Sequence, residues 1–265
     1  MTTPAVTLTC TGAELYYLGA ALGGTTLLGV RDPFPGWLTE EIVEAMPAAQ
    51  AALAQRGYLS SQIDGTSVMS EPVAALLQAA IAPVSSFIGN MTLAEDMIEQ
   101  RAFHLAGAMA VEIALQPPDS YHLTALKGPD GIEQQLDAWW AIGAQSAAPS
   151  SAANMPESAL VEASKQARQA GAAAASTALV EAGVPHLVAE VLSATLASPR
   201  LNAALVALRP GMHAVSSVAF LDGGPGMWRL RAFERDDQPW VEAIPCSGAE
   251  IREQVVQLIA RFAAA

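Results

Sequence analysis

The residues equipped for chemistry in this 265-residue chain are four histidines, two cysteines, and scattered serines and carboxylates. His104, His122, His186 and His213 never stand four apart, and no Cys–His cluster supplies a metal-ligand set. His104 and His122 fall in neighbouring strand segments, and with a carboxylate such as Glu112 they form the best hydrolytic constellation on offer. An imidazole hydrogen-bonded at a sheet edge is the plainer reading of each. No Gly-x-Ser-x-Gly elbow occurs, and Ser85-Ser86 and Ser216-Ser217 sit at strand starts, where hydroxyls bond backbone groups. Gly223, Gly224 and Gly226 precede a strand rather than a helix, so they read as a hairpin turn and not a phosphate cradle. Glu40 with Glu44, and Glu95 with Glu99, have the spacing of solvated helical faces, and no EF-hand loop is present. No catalytic, cofactor-binding or metal-binding residues are expected, and no cofactor.

Cys10 and Cys246 lie at opposite ends of the chain. Two thiols make neither a disulfide framework nor a metal site, and buried free thiols are the expected state, with a bridge between them left open. The net charge of −13 and the presence of only Lys127 and Lys165 as lysines argue against nucleic acid and anionic membranes as partners. Hydrophobic residues make up 52% and mean hydropathy is +0.30, which excludes a disordered chain. No apolar run reaches the roughly 18–20 residues that span a bilayer. The opening Met1-Thr2-Thr3-Pro4 lacks the basic and apolar regions of a signal peptide, so a soluble cytoplasmic protein is expected.

The elements that must position any site alternate between helices and strands. Ala13–Leu22 has helical apolar spacing closed by Gly23-Gly24, and Thr39–Gly57 opens with acidic residues in its first turn. A short extended stretch follows, with a turn at Asp64-Gly65 and a helix from Val73 to Ala82, an order reminiscent of a winged helix. Strands are expected at 85–91, 102–106, 111–115 and 122–126, then a helix carrying Ile132, Leu136, Trp139 and Trp140. Residues 143–158, rich in Ala, Ser and Pro, read as a linker. Beyond it come a helix over 159–179, another through Leu196, and three strands at 215–221, 227–233 and 241–244. Ser247 and Glu250 form a capping box for a last helix, whose apolar face is Ile251, Val255, Leu258, Ile259 and Phe262.

The second half repeats the order of the first. Met109–Leu115 stands against Met227–Phe233 at an offset of 118, and Tyr121, Ile132 and Gln135 stand against Trp240, Ile251 and Gln254 at 119. The division expected is 1–142 as a first α+β repeat, 143–158 as linker and 159–265 as a second repeat, packed as one unit. The fold class is α+β with pseudo-two-fold duplication, two antiparallel meanders joined in a central sheet and flanked by helical subdomains. Trp37 in a Pro/Gly loop, and Trp139-Trp140 at a helix end, are the candidate protein-interface anchors, one of the adjacent pair being expected in the core.

This layout resembles the EspG family, cytosolic specificity chaperones of type VII (ESX) secretion. The resemblance is carried by Glu14-Leu15 through Leu22, by Leu53-Ala54-Gln55-Arg56-Gly57-Tyr58 before Asp64-Gly65, by the strand pairs, and by the closing Ser247-Gly248-Ala249-Glu250-Ile251-Arg252. It is one of arrangement over most of the chain, without a diagnostic signature. It implies two related halves sharing a sheet and a non-enzymatic protein-binding role toward the helical tips of secreted PE–PPE pairs. The alternatives are a hydrolase built on His104, His122 and Glu112, and a winged-helix regulator, for which Arg56 stands almost alone where a basic face is needed.

Overall fold

In the computed structural model, which describes residues 6–24, 27–62, 66–94, 97–211 and 215–264, ten strands form one antiparallel sheet. Strand β1 (Thr7–Thr11) runs into helix α1 (Gly12–Ala21). Thr11 caps that helix and Glu14 reaches back to the Thr11 N–H, so two orphan donors are satisfied by one four-residue motif. Helix α2 (Thr39–Gln55), a hairpin of β2 (Leu59–Ser61) and β3 (Ser67–Met69), and α3 (Glu71–Ile81) complete a first helical group. The hairpin between the helices has the winged-helix order, and its Asp64-Gly65 turn lies outside the described residues. A four-strand meander follows: β4 (Ser85–Ala94), β5 (Met97–Ala106), β6 (Met109–Gln116) and β7 (Ser120–Leu126), then α4 (Gly128–Trp140).

The second half repeats this order with β8 (Ala153–Pro156), α5 (Glu157–Ala170), α6 (Ala172–Glu181) and α7 (His186–Ala197). The meander is β9 (Pro199–Leu208), β10 (Val215–Gly223), β11 (Gly226–Arg235) and β12 (Gln238–Pro245), closed by α8 (Gly248–Ala263). The sheet order, β1-β7-β6-β5-β4-β9-β10-β11-β12-β8, reads the same outward from the central β4–β9 joint in both directions. That is the pseudo-two-fold duplication, with the axis through the joint.

Four details differ from the sequence reading. Strand β9 is a central strand that the pattern hides. Leu201, Ala203, Leu205 and Ala207 point into the core, but Ala204, Val206 and Leu208 on the other side are apolar too, so no polar alternation marks it. The long helix over 159–179 is two, because Gly171 takes φ +87, a conformation that suits glycine alone. The segment 143–158 is not a bare linker: Ala153–Pro156 is the edge strand β8, Ala147 bridges to Met227, and Ala148 is buried. Glu99 lies in β5, bonded to Arg101, so it belongs to no helical face; Glu95 lies outside the described residues.

The repeat itself is in a slightly different register. Met109 packs on the α1–α3 side, whereas Met227 is buried on the α4–α8 side. A one-residue slip in a strand exchanges the two faces. Phe103 and Phe220, both fully buried on the α4–α8 side, stand 117 apart, as do Ala110 and Met227.

Helices cover the faces unequally. On one face α4 and α8 lie over the joint, and Ile132, Leu136, Trp140, Ile251, Val255 and Ile259 close on Phe87, Phe103, Leu205 and Phe220. On the other, α1–α3 cover the first half's outer strands and α5–α7 those of the second, each with its own core. Cys10 belongs to the α1–α3 core and Cys246 to the α4–α8 core, on opposite faces, and both thiols are free. Burial pushes them up to about 12 and about 11, so thiolate is scarce at neutral pH. Ellman's reagent is expected to leave both thiols unmodified in the native protein and to titrate both in denaturant; rapid native labelling would contradict this packing.

Candidate protein-binding surface

Between the two helical groups the central sheet is bare. Register places Ile88, Asn90 and Thr92 of β4 on the same face as Ala204, Val206 and Leu208 of β9, and each of these is only half-buried, Ile88 packing at the edge of the α1–α3 core. Their alternating neighbours Phe87, Met91, Leu205 and Ala207 are buried beneath α4 and α8. The same strands therefore carry a packed face and an open one. Ile98 on β5 and Val215 on β10, again 117 residues apart, are 63% and 62% exposed at opposite corners of this floor. By strand geometry the floor measures about 20 Å along the strands and about 14 Å across them.

Among the described residues the floor is uncharged. Gln100 donates to Asn90 Oδ1 at 3.0 Å, and Asn202, Ser217 and Ala219 continue the surface. At the β4–β5 end an open cleft of about 410 Å³ is bounded by Asn90, Thr92, Ile98, Gln100 and Asn202, with Arg31 at its wall. Such a floor offers hydrogen-bonding side chains among aliphatic ones, the chemistry of a protein interface.

The wall on the first-half side is the connection between α1 and α2. Leu28 C=O accepts from His104 Nε2 at 3.0 Å, and the Nδ1 left as acceptor takes the Ser86 hydroxyl at 2.9 Å. Burial lowers the His104 pKa to about 4, the Leu28 bond opposing only in part, so the ring is neutral. Arg31 N–H donates to the Tyr121 hydroxyl at 3.0 Å. These bonds hold the connection against the sheet.

The hydrolytic constellation does not assemble. His104 pairs with Val111 and His122 with Ala114, three positions along β6, so the two imidazoles are on opposite faces of the sheet. His122 instead meets Thr9 Oγ1 at 3.3 Å. Glu112 is held by Arg101 at 2.9 Å and by Gln135 at 3.0 Å. Among the described residues no group of three or more His, Cys, Asp or Glu is placed to hold a metal ion. Arg56 is engaged by Glu14 and by the Thr9 carbonyl on the outer edge of β1, leaving the winged-helix order without its one basic residue.

The tryptophans separate. Trp140 is 4% exposed and meets Phe220 edge-on at 5.3 Å, so it is core and presents nothing to a partner. Trp139 is half-buried, with the Arg101 guanidinium 4.6 Å above its ring. It lies against Gly89, where a Cβ would come within 2.7 Å of the ring, so it supports the underside of the joint. Only Trp37 is well exposed, at 49%, tilted against Phe34 and followed by exposed Leu38 and Val43. No sequence signal marks the bare floor, because β9 lacks polar alternation and exposure of one strand face depends on what packs there.

The EspG family model matches residues 4–257. Among solved structures, the Mycobacterium tuberculosis type VII secretion chaperone EspG5, in a complex with the PE25–PPE41 dimer, is similar with a TM-score of 0.63 and 16% identity over 96% of each chain. At that identity the likeness is one of fold. No curated protein matches the chain.

Proposed function

The chain belongs to the EspG family, and from that premise we propose that it is a non-enzymatic, cytoplasmic specificity chaperone of type VII secretion that holds a PE–PPE-type heterodimer by the end of its helices. One observation carries the reading: an uncharged sheet floor, astride the joint of two duplicated halves, left open between two helical walls. An α-helix with side chains is about 10–12 Å across, so a floor of this size receives the end of a helix pair better than a whole folded surface. The EspG5 fold occurs with a PE25–PPE41 dimer, which supports a heterodimer as the occupant. No described helix is long and apolar enough to cross a membrane, which is compatible with the cytoplasmic assignment. Trp37, with Leu38 and Val43, supplies a second contact with the same heterodimer.

Co-expression of the chain with each PE–PPE heterodimer encoded in its source genome tests the reading. The expected result is a ternary complex that survives size exclusion with one heterodimer and not with all of them. Elution of the chain alone in every case would refute the role.

A further inference from the structure

One charged group borders the open floor, and among the described residues it has no partner. Arg31 is exposed and is the only charged residue lining the cleft; its side chain has neither an ion pair nor a hydrogen bond among the described residues. Among the described residues Arg229 and Arg261 also lack a side-chain ion pair or hydrogen bond, but neither lines the cleft, and most of the other arginines are engaged. Arg56, Arg101, Arg200, Arg231 and Arg252 each hold a carboxylate, and Arg209 bonds the Phe262 carbonyl. In a chain with twice as many carboxylates as Lys and Arg residues, 26 against 13, a cation without a partner among the described residues, at the rim of a surface whose described residues carry no charge, is conspicuous.

Its placement is also asymmetric. The α1–α2 connection is long and lies on the sheet, anchored through His104 and Tyr121, whereas the corresponding α5–α6 connection is Gly171 alone. The floor is nearly two-fold symmetric, down to Ile98 and Val215 at its corners, so by shape alone a docked helix end has two similar orientations. Arg31 exists on one side only.

We infer that Arg31 is the specificity-determining residue of the surface: its guanidinium takes an Asp or Glu carboxylate at the docked end of the heterodimer and so selects one of the two orientations. A planar fork of donors matches a carboxylate in two hydrogen bonds, which a lysine ammonium does not reproduce. Beside a floor whose described residues carry no competing charge, the pair is specific to that partner position. This deepens the chaperone reading and rests on it.

The test is titration calorimetry with the purified heterodimer that the wild-type chain retains, at low and high salt. Arg31→Gln is expected to weaken binding about tenfold to a hundredfold at low salt, with a smaller loss at high salt, and Arg31→Lys to restore only part of it. The side chain is exposed and has no partner among the described residues, so the melting temperature is expected to stay unchanged. Asn and Gln replacements of the heterodimer's acidic residues, combined with Arg31→Gln in double-mutant cycles, are expected to find one carboxylate whose loss adds nothing further. Binding by Arg31→Gln within twofold of wild type at low salt, or a loss coupled to no partner carboxylate, overturns the inference and leaves the chaperone reading intact. If the wild-type chain retains no heterodimer, both fall.

Discussion

Replacing Ala204 with tryptophan is expected to lower affinity for the heterodimer by more than about a hundredfold, the loss of roughly 3 kcal/mol that follows when the centre of an interface is filled. Ala204 lies mid-floor, paired with Asn90 on β4 and Ala219 on β10, and its side chain is on the open face. An indole there projects into the space the partner would occupy. The buried side of the strand is untouched, since Ala203 and Leu205 keep their places beneath α4 and α8. Stability is therefore expected to change by no more than about 0.5 kcal/mol, as for a surface substitution. Calorimetry with the retained heterodimer, beside a thermal melt, separates the two effects. Undiminished binding by an intact Ala204→Trp protein would place the docking surface elsewhere, Trp37 and its neighbours being the next surface to test.

The second large effect concerns pH. His104 is fully buried and neutral, with a folded pKa of about 4 against an ordinary value of 6.5. As pH falls below 6.5 the unfolded chain takes up a proton at this histidine and the folded chain does not, so unfolding gains. The contribution is complete above pH 6.5 and is lost progressively down to about pH 4, up to about 3 kcal/mol by linkage. Urea unfolding at a series of pH values is expected to show this slope, and His104→Asn to be less stable at neutral pH but flatter between the two limits. Equal slopes in the two proteins would show that His104 does not carry the acid sensitivity. Because the same ring holds Leu28, the variant is also expected to loosen the α1–α2 connection, seen as faster amide exchange around residues 27–31.

Local chemistry was legible wherever it was self-contained. Thr39, Ser247 and Glu250, and the apolar face of α8 are read from a few adjacent residues, and all stand where the pattern puts them. The Asp222-to-Gly226 turn is of the same kind, with β10 ending at Gly223 and β11 beginning at Gly226. Strand β9 was not legible, because alanines on both faces erase the alternation by which a half-buried strand is known. Nor was the register of the repeat: matching Met109 with Met227 aligns similar letters on opposite faces, and only pairing and burial fix the slip. For the tryptophans, sequence offered an adjacent pair with one member in the core; packing against Phe220 buried Trp140, and the space above Gly89 took Trp139.

What the sequence by itself determined is the class of molecule: an acidic α+β duplication, without a chemical motif, laid out like an EspG protein. Those properties reside in composition, periodicity and the order of elements, which are additive along the chain. Only the tertiary structure decided where work can be done. The bare floor exists because α1–α3 and α5–α7 pack mainly on the outer strands and leave most of the β4–β9 joint open, and among the described residues no carboxylate pairs with Arg31 at its edge. Exposure and missing partners are relations between distant residues, and no local pattern encodes them.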